Sequence, residues 1–173
     1  MPKQATKSNG AVGAPIKSLG EVLDFMRLLW AVDHGLQSRS KRMEAVLGVT
    51  GPQRLVIRLV GQRPGISAGE LAALLHVHPS TLTGVLGRLE ARGVVARRPD
   101  PNDKRRALLS LTSKGQKLDK VRAGTVEARL KPTLARLSAQ RVRAAREVLA
   151  AVAEALDEAP GETARPRRDV ASA

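Results

Sequence analysis

Few residues in this chain are equipped for bond chemistry. The sequence holds no cysteine and only three histidines. Without cysteine there are no disulfides, thiolate metal ligands, thiol nucleophiles or cysteine-based redox sensors. Two of the histidines form the pair His76-x-His78 and the third is His34. A zinc site needs further ligands close by, no acidic residue flanks the pair, and a turn explains it better than a metal. Nor does the sequence offer a glycine-rich phosphate loop, a metal cluster, or a nucleophile with a base and an orienting partner. Neither an enzyme nor a cofactor is expected. What the sequence offers instead is chemistry for polyanions. Ser80, Thr81, Thr83, Gly84, Gly87 and Arg88 crowd one short segment, and Arg92, Arg97, Arg98, Lys104, Arg105 and Arg106 follow it against only Asp100 and Asp103.

Small hydroxyl residues near a helix start let a backbone approach DNA closely and can bond base edges or phosphates. Arg88 can pair with guanine or phosphate. A helix N-terminus itself favours phosphate. A narrow hairpin with an arginine tip suits the minor groove, where the negative potential attracts guanidinium, and Arg97 and Arg98 at its base suit phosphates. The bland alternatives are a polar outer helix face and a solvated basic loop. Whole-chain charge favours the DNA reading: 30 Lys and Arg stand against 16 Asp and Glu in 173 residues, a net charge of +14 with a pI near 11.4. Such an excess concentrates nucleic acid around a protein. With one Phe, one Trp and no Tyr, the aromatic stacking that usually holds single-stranded RNA is missing.

These residues need a scaffold, and the apolar pattern supplies one. Val22, Phe25, Leu29, Val32, Leu36, Met43 and Leu47 recur at helical spacing, which predicts an amphipathic helix of about 25 residues ending near Gly48. Thr50 and Gln53 form a capping box for a second helix that tolerates Pro52 in its first turn. Ser67 and Glu70 form another, opening a short helix with Leu71, Leu74 and Leu75 on its apolar side. His76-Val77-His78 makes a turn. From Pro79, Leu82, Val85, Leu86 and Leu89 mark one buried helical face, and Gly93 ends it. Val94–Arg98 and Ala107–Leu111 read as strands joined by a turn rich in Pro, Asn and Asp. Thr112 caps a helix running to about Lys131, Pro132 interrupts it, and Ser138 starts a last helix striped by Val142, Ala145, Val148, Leu149, Val152 and Leu156.

The order of elements is helix, helix, helix-turn-helix, hairpin, helix, helix. Within it, Ser80-Thr81-Leu82-Thr83, Arg88-Leu89-Glu90-Ala91-Arg92-Gly93-Val94-Val95, Arg97-Arg98-Pro99-Asp100-Pro101-Asn102-Asp103-Lys104-Arg105 and Leu111-Thr112-Ser113-Lys114-Gly115 resemble the multiple antibiotic resistance regulator (MarR) family. The resemblance covers about residues 20–157. It implies a mainly α (α+β) winged helix-turn-helix fold whose first and last helices intertwine in a homodimer. It implies that Arg105 enters the minor groove while Asp103 orients the wing by pairing with an arginine. It also implies release from DNA by a small anionic or aromatic ligand. Trp30 and His34, one turn apart, and Arg54 and Arg58, one turn apart on the next helix, are the candidates to stack on and pair with it. The alternative is a core Trp30 with the arginines in salt bridges or exposed contacts.

The sequence therefore predicts a basic, disordered arm over 1–18, a MarR-type domain over 19–157 and a disordered tail over 158–173. Within the domain the winged helix spans about 50–112, and dimerisation helices span about 20–48 and 113–157. The expected function is sequence-specific recognition of a pseudo-palindromic double-stranded operator by a homodimeric repressor, through Ser80, Thr81, Thr83, Gly84, Arg88, Arg97, Arg98, Asp103, Lys104 and Arg105. The competing reading is an architectural protein that coats DNA with little sequence preference. No apolar run approaches the roughly 18 residues of a membrane helix and no secretory signal opens the chain, so a cytoplasmic location is expected.

Overall fold

The computed structural model describes residues 18–103 and 106–157. The expected N-terminal arm apart from Ser18, the tail from 158, and Lys104 and Arg105 at the wing tip lie outside the described residues. The described elements run α1 (Glu21–Leu47), α2 (Gly51–Gln62), α3 (Ala68–Leu75), α4 (Pro79–Ala91), β1 (Val95–Pro99), β2 (Ala107–Leu111), α5 (Ser113–Lys120), α6 (Val126–Leu134) and α7 (Ala139–Asp157). The fold is mainly helical with one two-stranded antiparallel sheet. Among the described residues no helix is long and apolar enough to cross a membrane.

The chain divides into two compact units inside α1, one ending at Gly35 and the other beginning at Leu36. In the first, the Asp24 carboxylate accepts from the Ser18 hydroxyl at 2.8 Å and from the Leu19 amide at 3.3 Å. With Glu21 it also puts negative charge in the first turn, where the helix dipole favours it. Val22, Leu23, Met26, Leu28, Trp30 and Val32 are each more than half exposed. The reading of Trp30 as a core side chain fails in the single chain, where it is 77% exposed.

The second unit holds the core: Val56, Ile57 and Val60 of α2, Leu71 of α3, Leu82, Leu86 and Leu89 of α4, Val94, and the strand residues Val95 and Leu109. Both capping boxes form. Thr50 accepts from the Gln53 amide while the Gln53 side chain accepts from Thr50, and Ser67 and Glu70 do the same. Helix α4 ends in a Schellman pair, with Gly93 (φ +63°) donating to the Glu90 carbonyl and Val94 to that of Leu89. In the hairpin Val95 pairs with Leu111 and Pro99 with Ala107. Proline is tolerated there because β1 is an edge strand. On its other side β2 pairs with the α2–α3 connection: Leu109 exchanges hydrogen bonds with Gly65 and Ile66, and Ser67 bridges Leu108.

Two expected boundaries move: the first strand is Val95–Pro99 rather than Val94–Arg98, and the helix after Thr112 is shorter than expected. The helix after Thr112 does not run to Lys131; it stops at Lys120, and Pro132 lies inside α6. The turn over 121–125 contains Gly124 at φ +75°, and Thr125 caps α6 by accepting from the Ala128 amide. A buried side chain holds this corner. Arg54, 2% exposed, donates to the carbonyls of Leu118, Asp119 and Val121 and pairs with Glu127. These carbonyls lie where a helix end leaves acceptors without intrahelical partners.

Candidate nucleic-acid interface

The α4 helix separates its two faces cleanly. Leu82, Leu86 and Leu89 are buried, whereas Ser80, Thr81, Thr83, Gly84, Gly87 and Arg88 are all exposed. Helical periodicity therefore brings the expected contact residues of this segment onto one free surface. Nothing lies within 4 Å of a Cβ built on Gly87, and only the Arg88 guanidinium approaches one built on Gly84, so a partner can come close to this backbone. Thr83 Oγ1 donates to the Pro79 carbonyl at 2.9 Å, which fixes its rotamer. The turn before α4 has more structure than the sequence showed. His76 adopts the left-handed conformation (φ 51°) that ends α3, and His78 is the N-cap of α4, its Nδ1 accepting from the Ser80 amide. Histidine is one of the residue types that adopt the left-handed conformation more readily, but it is an unusual N-cap, and its residue type alone carried no signal for that position.

The wing is tied to the helices by two ion pairs. Arg97 Nε lies 2.6 Å from Glu90 Oε1 at the end of α4. Successive strand residues face opposite sides, so this pair uses one side of β1 and leaves the exposed Arg98 to the other. Arg106 at the far side of the hairpin lies 3.1 Å from Glu70 Oε2. Hydrogen bonds from the Ser67 hydroxyl and amide, helped by Arg106, lower the Glu70 carboxyl from 4.5 to about 2. Arg97 and Arg106 thus serve wing placement, a role their place in a basic run had not indicated. Asp103 sits in the hairpin turn, where its carbonyl accepts from the Arg106 amide at 2.9 Å.

Beneath the wing, the start of α5 packs on the turn between α4 and β1. Thr112 Oγ1 donates to the Gly93 carbonyl at 2.7 Å and accepts from the Gly115 amide at 3.1 Å. Lys114 Nζ donates to the Arg92 carbonyl at 2.9 Å.

The four residues expected to hold a small ligand have separate circumstances. Arg54 is the buried corner described above. Arg58 pairs with Asp119 at 2.6 Å. An incoming carboxylate would have to displace these partners, and the salt-bridge alternative describes both arginines. The Glu127 carboxyl is pushed up by burial, but hydrogen bonds from its own amide and from Arg54 outweigh this and hold it below its ordinary value. Trp30 and His34 are exposed on α1. A cavity of about 220 Å³ lies elsewhere, lined by Ala72, Ala73, His76, Val77, Ala153, Glu154 and Asp157.

Comparison with known proteins agrees with this architecture. The model of the MarR family matches residues 49–107. The chain is 34% identical over 122 residues to the HTH-type transcriptional repressor Rv2887 of Mycobacterium tuberculosis (strain ATCC 25618 / H37Rv), covering 70% of this chain and 88% of that protein. Among solved structures, the transcription regulator MarR from Oenococcus oeni PSU-1 superposes with a TM-score of 0.68 at 22% identity, covering 76% of this chain and 99% of that one. A mutant MarR from E. coli complexed with operator DNA superposes with a TM-score of 0.61 at 29% identity, covering 76% and 94%. With a relative this similar over most of both lengths, and with the winged helix-turn-helix in place, the chain belongs to the MarR family of DNA-binding transcription regulators.

Proposed function

We propose that this protein is a homodimeric repressor that reads a pseudo-palindromic operator with α4 in the major groove and the hairpin in the adjacent minor groove. The observation that carries the reading is the exposed face of α4, where hydroxyls, glycines and Arg88 stand opposite three buried leucines. On this reading Ser80, Thr81, Thr83, Gly84 and Arg88 contact base edges and phosphates. Arg98 reaches phosphate, and Lys104 and Arg105 contact the minor groove. Arg97 and Asp103 position the wing. The apolar faces that α1, α6 and α7 leave exposed are covered by a second copy, so that two α4 helices address half-sites about 10 base pairs apart. A repressing role follows the relative that is named a transcriptional repressor, and a site of action on DNA places the protein in the cytoplasm. No ligand contact is assigned to Arg54 or Arg58.

The test is a titration of the protein against the DNA upstream of its own gene and a scrambled duplex at about 0.15 M salt. Saturable binding to the upstream DNA alone, at two subunits per site, is expected. Equal and steeply salt-dependent binding to both duplexes would favour the architectural reading.

A further inference from the structure

At the first turn of α4, His78 Nδ1 lies 2.7 Å from Ser80 Oγ and 3.3 Å from the Ser80 amide nitrogen. A backbone N–H can only donate, so the amide contact favours the tautomer with the lone pair on Nδ1 and the ring proton on Nε2. The shorter contact, to the hydroxyl, takes most of that single in-plane lone pair. The Ser80 hydroxyl proton is therefore committed to His78, and its oxygen faces outward as an acceptor. An outward acceptor can receive from the amino group of adenine or cytosine in the major groove; toward a phosphate oxygen it has nothing to give.

Protonation of Nδ1 reverses each partner. The ring N–H then donates to Ser80 Oγ, the hydroxyl proton turns outward, and the Ser80 amide loses its acceptor. The hydroxyl and amide both become phosphate donors, beside a positive imidazolium. We propose that His78 is a proton-sensitive positioning residue that sets the polarity of the Ser80 hydroxyl, making α4 selective when neutral and less selective when protonated. The proposal rests on α4 docking in the major groove, as argued above.

Few charged groups lie on the elements around His78. On α4 the first charged residue is Arg88, and on α3 the only one is Glu70, held at the other end of that helix by Ser67 and Arg106. His76, on the same turn, lines the cavity with Glu154 and Asp157 of α7. Among the described residues no carboxylate forms an ion pair with His78. Histidine is the side chain that ordinarily changes charge between about pH 5 and 8.

The experiment uses the full chain and a duplex selected by it from a random library at about pH 8, with a shuffled duplex as reference. The ratio of the two affinities cancels the general gain of positive charge. From about pH 8 to about 5.5 the wild-type ratio is expected to fall about fivefold or more, the worth of one base contact. His78→Asn, which keeps a good N-cap without titrating, holds the ratio constant, and so does Ser80→Ala. A flat wild-type ratio, or an unchanged pH profile in His78→Asn, overturns the proposal. Nitrogen NMR of the free, histidine-labelled protein reads the tautomer without DNA. At about pH 8 it finds Nε2–H at His78, and finding Nδ1–H instead overturns the proposal. Should no duplex be selected at all, the major-groove reading of α4 fails, while the tautomer still decides the His78–Ser80 pair.

Discussion

A methyl group on Gly115 has nowhere to go. Built there, it overlaps the Val94 carbonyl oxygen and presses on the Leu111 side chain at 3.2 Å. The Val94 carbonyl is also the acceptor for the Thr112 amide, so it cannot turn aside cheaply. Gly115→Ala is therefore expected to destabilise the fold by about 1–3 kcal/mol, the usual cost of overpacking. This is read as a lower denaturant midpoint at unchanged slope. Gly84 makes the opposite case. A Cβ there meets only the Arg88 guanidinium, at 3.9 Å, and glycine inside a helix costs about 0.5–1 kcal/mol relative to alanine. Gly84→Ala is expected to raise stability while weakening operator binding, because the methyl stands where the backbone approaches DNA. Stability gained with operator affinity unchanged would remove Gly84 from the contact surface.

At the scale of elements, the Ser67–Glu70 box does two jobs, capping α3 and, through Arg106, anchoring the far strand of the wing. Because the Glu70 carboxyl is depressed from 4.5 to about 2, its contribution to stability is complete above pH 4.5. That contribution is lost as pH falls toward about 2. Glu70→Gln keeps a capping acceptor and loses the titration, so its melting temperature is expected to fall less steeply than that of the wild type across this interval. The capping boxes, the leucine face of α4 and the hairpin were legible in the sequence because each is local, with its signal inside one turn or one strand. The α5–α6 corner was not. Pro132 is the obvious breaker, yet the break is placed by Gly124, by Thr125 and by Arg54, which reaches across 64 residues to the Leu118 carbonyl. The pairing of Ile66 and Ser67 with β2 depends likewise on partners far along the chain. For the interface, residue type and helical period picked out the face of α4 that is exposed, while the engagement of Arg97 by Glu90 and of Ser80 by His78 depends on three-dimensional placement that residue type does not carry.

At the scale of the whole molecule, many large apolar side chains stay exposed in one copy. Neither α6 nor α7 buries a single residue, and Val148, Leu149 and Leu156 of α7 are exposed. Exposed apolar helix faces can mark association surfaces, and a closed two-fold dimer is the commonest way to cover them. In the proposed dimer the consequence for DNA would be geometric as well as stabilising, since two α4 helices held at a fixed separation would bind one site with the effective concentration of a linked pair. Val148→Asp combined with Leu149→Asp places two charges on the exposed face of α7 without touching the winged-helix core. In sedimentation equilibrium the wild type is expected at twice the 18.5 kDa chain mass and the double variant at the chain mass. Operator affinity of the variant falls by about 10²-fold or more, the advantage that linkage confers, whereas binding to scrambled DNA changes much less because the basic surface of each copy is intact. A variant that stays dimeric would show that α7 lies outside the interface. A monomeric variant that still bound the operator tightly would show that one α4 helix and one wing suffice for recognition.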